Sequence, residues 1–165
     1  MGMCGEVCYR GYNVMLGYYG EENKILENDE WFPSGDFFIL HENGYGQVVG
    51  RIKDIIIRGG ENIIPKEIEY VLQTHPDVVE AQVYGVPDER LGEVVVANIE
   101  LKPGASLTQD DIKTYCKGKI AHFKIPHHVL FVSSYPKTET GKIQKFKLRD
   151  LYIKEFMSNS SSPSM

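Results

Sequence analysis

Lys142 stands in a polar stretch, Pro136-Lys137-Thr138-Glu139-Thr140-Gly141-Lys142-Ile143-Gln144-Lys145. Most lysines in such loops are only solvated. A loop-borne cation also suits acyl or phosphoryl transfer, where negative charge develops on oxygen and a positioned ammonium offsets it. Gly141 is expected to loosen the loop, making Lys142 a flexible cationic arm. The stretch is not a phosphate-binding P-loop. The spacing from an upstream glycine to Gly141-Lys142 is wrong, and Ile143 stands where Ser or Thr is required.

Three further groups could join such chemistry. Asp36 follows Gly35 in the aromatic segment Trp31-Phe32-Pro33-Ser34-Gly35-Asp36-Phe37. A carboxylate there is either a turn former or an acceptor for the two hydroxyls of a cis-diol such as ribose. Gly50-Arg51-Ile52-Lys53-Asp54 sets three charges between apolar runs. They read as an exposed ion-pair cluster, or with Arg51 as a planar anchor for an anion or hydroxyl. In Arg58-Gly59-Gly60-Glu61-Asn62 the tandem glycines make a turn, and they would also let a ligand approach the backbone closely. Gly44-Tyr45-Gly46-Gln47-Val48-Val49-Gly50 is one residue too long for a dinucleotide fingerprint and precedes no helix. Cys4, Cys8 and Cys116 match no metal or redox spacing. His127 and His128, as neighbours on a strand, would face opposite ways and not share a metal. No metal site is expected.

These residues need elements to hold them. Short aromatic stretches broken by Gly, Asn and Asp make residues 1–50 a set of small strands with little core of their own. Val48-Val49-Gly50 and Ile55-Ile56-Ile57 predict a hairpin. Pro65 opens a helix whose stripe is Ile68, Val71 and Leu72, and His75-Pro76 ends it. Two strand-like runs follow, Val78 to Val86 and Glu93 to Leu101. Thr108 is an N-cap with Asp111 in a variant capping box, and Leu107 and Ile112 form a staple. Ile112, Tyr115, Cys116 and Ile120 are the buried side of that helix. A strand at His128 to Val132 and a helix from about Lys145, with Leu148, Leu151, Tyr152 and Phe156 on one face, complete the order β-β-α-β-β-α-β-α. That order describes an α+β domain, a hairpin plus a three-stranded sheet with helices. The expected divisions are 1–52, a β-rich segment; 53–157, the α+β domain; and 158–165, a Ser-rich disordered tail.

The composition, 42% hydrophobic and 25% charged, is that of a globular protein. No apolar run approaches the roughly 20 residues of a spanning helix. The start, Met1 to Glu6, lacks the features of a signal or transit peptide. Net charge is −5, unevenly spread. From Lys113 to Lys154 ten basic residues face two acids, or +8, leaving 8 basic and 21 acidic residues, or −13, elsewhere. A basic third fits a small polyanion such as a nucleotide phosphate or coenzyme A. The acidic whole, with pI near 5.5, argues against nucleic acid.

Taken in order, Gly35-Asp36, Gly50 to Asp54, Gly59-Gly60-Glu61-Asn62-Ile63 with Pro65 and Glu67-Ile68-Glu69, and Pro136 to Lys142 resemble the late motifs of the adenylate-forming enzymes. That superfamily holds acyl-CoA synthetases, luciferase-like enzymes and peptide-synthetase adenylation domains. Arg51 to Glu69 is most similar to medium-chain acyl-CoA ligases. The resemblance runs from Gly5 to about Tyr152 and implies the small C-terminal domain of these enzymes, preceded by a β-rich remnant of their large N-terminal domain. It implies an ATP-dependent fatty acid–CoA ligase that works through an acyl-adenylate, with a carboxylic acid, ATP with Mg2+, and coenzyme A as partners. By position, Asp36 would bind ribose hydroxyls and Arg51 would support ribose or phosphate. Lys53 would lie at the hinge. Gly59 and Gly60 would face coenzyme A, and Lys142 would act in adenylation. Pro33 stands where the family usually has Arg, so that contribution is lost. The Ser/Thr/Gly-rich phosphate loop and the acyl pocket of the large domain have no counterpart here. The chain alone is therefore expected to be inactive. The alternative is a non-catalytic truncated module binding nucleotide, coenzyme A or a protein partner. The resemblance implies an intracellular, mitochondrial parent enzyme, an address no residue of this chain specifies.

Overall fold

A computed structural model describes residues 3–20 and 30–157. The expected disordered tail at 158–165 lies outside them. The chain divides into two compact units after Lys53.

The first unit is a three-stranded antiparallel sheet in the order β1 (Met3–Tyr9), β2 (Phe32–Leu40), β3 (Gly46–Arg51). Val48 and Gly50 pair here with Phe38 and Phe37. This corrects the expected hairpin of Val48-Val49-Gly50 with Ile55-Ile56-Ile57. The two apolar runs are neighbours in sequence, but a 3-10 turn at Ile52–Asp54 parts them, and each finds its partner elsewhere. None of the described residues of this unit is buried. A sheet with no buried face contributes little hydrophobic stabilisation.

The second unit is built on β4 (Ile56–Arg58), β5 (Glu61–Ile63), α1 (Pro65–Gln73), β6 (Val78–Asp88), β7 (Gly92–Leu101), α2 (Gln109–Cys116), β8 (His128–Phe131) and α3 (Lys145–Tyr152). The hairpin is β4–β5. It joins the sheet through Arg58 opposite Gly92, giving the order β5-β4-β7-β6, and β8 pairs parallel to β7. β7 reads Val94-Val95-Val96-Ala97-Asn98-Ile99, an apolar run suited to a strand covered on both faces. Val95, Ala97 and Ile99 pack with Ile68 and Leu72 of α1 and Ile112 and Cys116 of α2. Val94 and Val96 pack with Tyr135 and with Leu148 and Tyr152 of α3. Burial of each such aliphatic side chain is worth about 1.5–3 kcal/mol. That outweighs the intrinsic preference of helices this short, which are marginal alone.

Local signals set the helix ends. Thr108 caps α2: Asp111 N–H donates to Thr108 Oγ1 at 3.2 Å, and Thr108 N–H donates to Asp111 Oδ2 at 2.8 Å. The hydroxyl and amide of Thr108 hold the Asp111 carboxyl below its ordinary range. At α3 the expected stripe is half right. Leu148 and Tyr152 are buried, whereas Leu151 and Phe156 are exposed at 52% and 49%. The α-helix ends at Tyr152, and a wider π-turn over Ile153–Met157 shifts the register, bringing Met157 to the core instead.

Candidate functional site

Lys142 stands exposed in a turn between β8 and α3. The turn is tied, not loose. Lys137 pairs with Ile143 as an antiparallel bridge. Thr138 N–H donates to Lys142 O at 2.8 Å, and Lys142 N–H donates to Thr138 Oγ1 at 3.1 Å. Gly141 N–H donates to Thr138 O at 2.9 Å, and Gln144 N–H to Pro136 O at 2.9 Å. Gly141 has φ +83°. It is there because the turn needs a left-handed residue, not because the loop needs slack. The expectation of a flexible arm is thus corrected.

Both stems of the turn are pinned to the sheet. On one side the Tyr135 hydroxyl, buried at 8% exposure, lies 2.9 Å from Asn98 O and 3.0 Å from Glu80 O. Burial pushes that phenol well above its ordinary range. On the other, the Lys145 ammonium pairs with Glu69 of α1 and donates to Val83 O at 3.3 Å. Glu69 is 1% exposed, and its Oε1 also accepts the Val83 N–H at 3.0 Å. Sequence reasoning missed Tyr135, Thr138, Glu69 and Lys145 as a mount. The available signal was a glutamate at 69, inside the apolar stripe of Ile68 and Leu72.

Gly59 and Gly60 form the two-residue turn of the β4–β5 hairpin, with φ +59° and +87°. Two left-handed residues are what the favoured hairpin turn demands. A Cβ at Gly60 would meet nothing within 4 Å, and one at Gly59 only Leu91 Cδ2 at 3.6 Å, so conformation and not crowding selects glycine. Gly59 N–H donates to Leu91 O at 2.7 Å. The Asp88 carboxylate accepts the Leu91 and Arg90 N–H groups at 2.8 and 3.0 Å, which holds it below the ordinary carboxylate range. The exposed glycine turn is thus fixed beside the turn that joins β6 and β7. The Lys142 turn is pinned to β6 and β7.

In the first unit, Asp36 and Arg51 face each other across β2 and β3, with Arg51 Nε 3.4 Å from Asp36 Oδ1. Gly35, at φ +73°, donates its N–H to Glu6 Oε1 at 2.8 Å, and Asp36 N–H donates to Ser34 Oγ at 3.0 Å. The pair brings together a carboxylate 28% exposed and a guanidinium 58% exposed. Its contribution to stability is small. Lys53 is exposed in the 3-10 turn Ile52–Asp54, where the first unit ends.

Among the described residues no three His, Cys, Asp or Glu side chains gather to hold a metal. His127 and His128 do not face opposite ways as expected. Their rings stack at 4.5 Å and 6°. His127 precedes β8, so strand alternation does not govern it. Cys116 is buried and its thiol is pushed up to about 11 by burial, while Cys8 is exposed. No helix among the described residues is long and apolar enough to cross a membrane.

Residues 67–142 match the AMP-binding enzyme C-terminal domain. The chain is 55% identical over 149 residues to the mitochondrial medium-chain acyl-CoA ligase ACSF2 of Bos taurus, covering 88% of this chain and 24% of that protein. It is 51% identical over 163 residues to the putative acyl-CoA synthetase YngI of Bacillus subtilis (strain 168), covering 97% and 30%. ATP-bound MatB from Rhodopseudomonas palustris superposes with TM-score 0.85 at 37% identity, over 92% of this chain and 31% of that one. The chain therefore spans 24–31% of these relatives' lengths. With its α+β unit, its sequence and its fold in agreement, the chain carries the AMP-binding enzyme C-terminal domain and is homologous to the C-terminal portion of AMP-forming acyl-CoA ligases.

Proposed function

We propose that the chain is the C-terminal part of an ATP-dependent fatty acid–CoA ligase. In the first step a carboxylate oxygen of the acid attacks the α-phosphorus of ATP, and the bond to pyrophosphate breaks. In the second the thiolate of coenzyme A attacks the acyl carbon, and AMP leaves. Lys142 offsets the charge that builds on the carboxylate and α-phosphate oxygens in the first step. Asp36 accepts hydrogen bonds from the ribose hydroxyls, and Arg51 orients that carboxylate and supports the nucleotide. Lys53 is the hinge about which the second unit turns between steps. The Gly59–Gly60 turn lies beside the pantetheine arm in the second step. ATP's triphosphate, its Mg2+ and the acyl chain are gripped by the large part that precedes this one in the relatives, so the 165-residue chain alone makes no acyl-CoA.

One observation carries the reading. Lys142 is held exposed on a hydrogen-bonded turn, in a chain 55% identical to a medium-chain ligase.

The test supplies the preceding part, fused or mixed, and follows acid-dependent pyrophosphate release and thioester formation separately. Lys142→Ala should slow adenylation by about 100-fold or more and spare the thioester step. Equal loss in both steps refutes the role. A folded but inert mixture favours the non-catalytic module.

A further inference from the structure

The Glu69–Lys145 pair is a feature that neither helix needs for itself. Lys145 is the first residue of α3, where the helix dipole disfavours a cation. The preceding residue, Gln144, makes no side-chain cap bond. Glu69 is a carboxylate 1% exposed on the buried stripe of α1. Buried ion pairs are poor sources of net stability, because desolvation consumes most of the attraction. What such a pair supplies is a fixed geometry. Here the geometry is specific. Glu69 Oε1 accepts from both the Lys145 ammonium and Val83 N–H, the same ammonium donates to Val83 O, and Glu69 Oε2 lies 3.5 Å from Lys66 Nζ. Only Ile143 and Gln144 separate Lys145 from Lys142, and the intervening backbone is closed by the Gln144–Pro136 and Lys142–Thr138 bonds.

We propose that Glu69, acting through Lys145, is a positioning residue for the adenylation step: the pair sets where the Lys142 turn stands over the sheet. This rests on the reading of Lys142 given above. Tyr135 secures the other stem, so losing the pair leaves the turn attached on one side and free to swing.

Two measurements test it. In the 165-residue chain, amide hydrogen exchange at Lys142 should quicken by about 10-fold or more in Glu69→Gln and in Lys145→Met, while Val95 in the central strand keeps its protection. A uniform rise, or no change at Lys142, overturns the proposal. In the chain joined to the preceding part of the ligase, with octanoate, ATP and coenzyme A, both variants should lower the single-turnover adenylation rate by about 10-fold. KM for ATP and the thioester step should stay within about twofold. Lys145→Arg, which keeps the ion pair, should recover most of the rate, and an Arg variant as slow as the Met variant refutes the role. Lys142→Ala separates the two readings. Unchanged adenylation there overturns the role of Lys142 itself. Adenylation lost there but kept in Glu69→Gln and Lys145→Met overturns the positioning role alone. If Glu69→Gln does not fold, Lys145, whose side chain is 27% exposed, carries the test.

Discussion

Gly59 and Gly60 sit in open space, so a methyl group at either meets no serious obstacle. Any cost of substitution comes from their positive φ. Gly60→Ala should therefore lose about 1–2 kcal/mol of stability, read from urea denaturation, and Gly60→Asn less, since Asn tolerates the left-handed region better. A loss well above that range would mean that the turn packs against something. Gly141 follows the same logic in the Lys142 turn, where the nearest atoms also leave a Cβ free. At this scale the sequence is informative about which residues matter and misleading about why. Gly-Lys reads as slack around a cation, because a turn closed by Thr138 leaves no trace in composition. Glu69 and Lys145 are 76 positions apart, so nothing local announces their pairing.

Elements are legible where their signals are local. Thr108 and Asp111 define the start of α2 within four residues, and the alternating and continuous apolar runs of β6 and β7 are visible directly. The pairing of Val48 is not legible, because its partner, Phe38, lies across a loop, and short apolar runs do not name their partners. β8 offers a test at this level. Burial first, then the neighbouring His127 and Lys113, hold the His128 imidazole below its ordinary range, with Asp88 opposing. Its ring also contacts Tyr152 at 5.6 Å. The unfolded chain takes up this proton near pH 6.5, the folded chain only at lower pH. Between those two values the unfolded state binds more protons, so stability falls as pH falls. Melting temperature should drop between about pH 7 and pH 5, and His128→Phe should flatten that slope. An unchanged slope in the variant would assign the effect to other groups.

At the scale of the molecule, the buried core among the described residues lies wholly in the second unit. Residues 54–165 alone should then unfold cooperatively, with a melting temperature within a few degrees of the whole chain's. Limited proteolysis of the whole chain gives an independent check: it should cut the first unit and leave 54–157 intact. Loss of cooperative unfolding on removal of 1–53 would show that the first unit stabilises the second. The sheet of the first unit, with no buried residue among those described, can be anticipated from its scarcity of apolar runs.

The mount beneath Lys142 has another effect, on the solubility of the fold. β6 is an edge strand, and an edge strand offers unpaired N–H and C=O groups to any other chain. Here Val83 N–H is taken by Glu69, Val83 C=O by Lys145, and Ala81 N–H by Glu80. Two of these side chains, Glu69 and Lys145, hold the turn and also close the strand to self-association. Glu69→Ala would unmask that edge, and light scattering at rising concentration should show the variant aggregating where the parent chain stays dispersed.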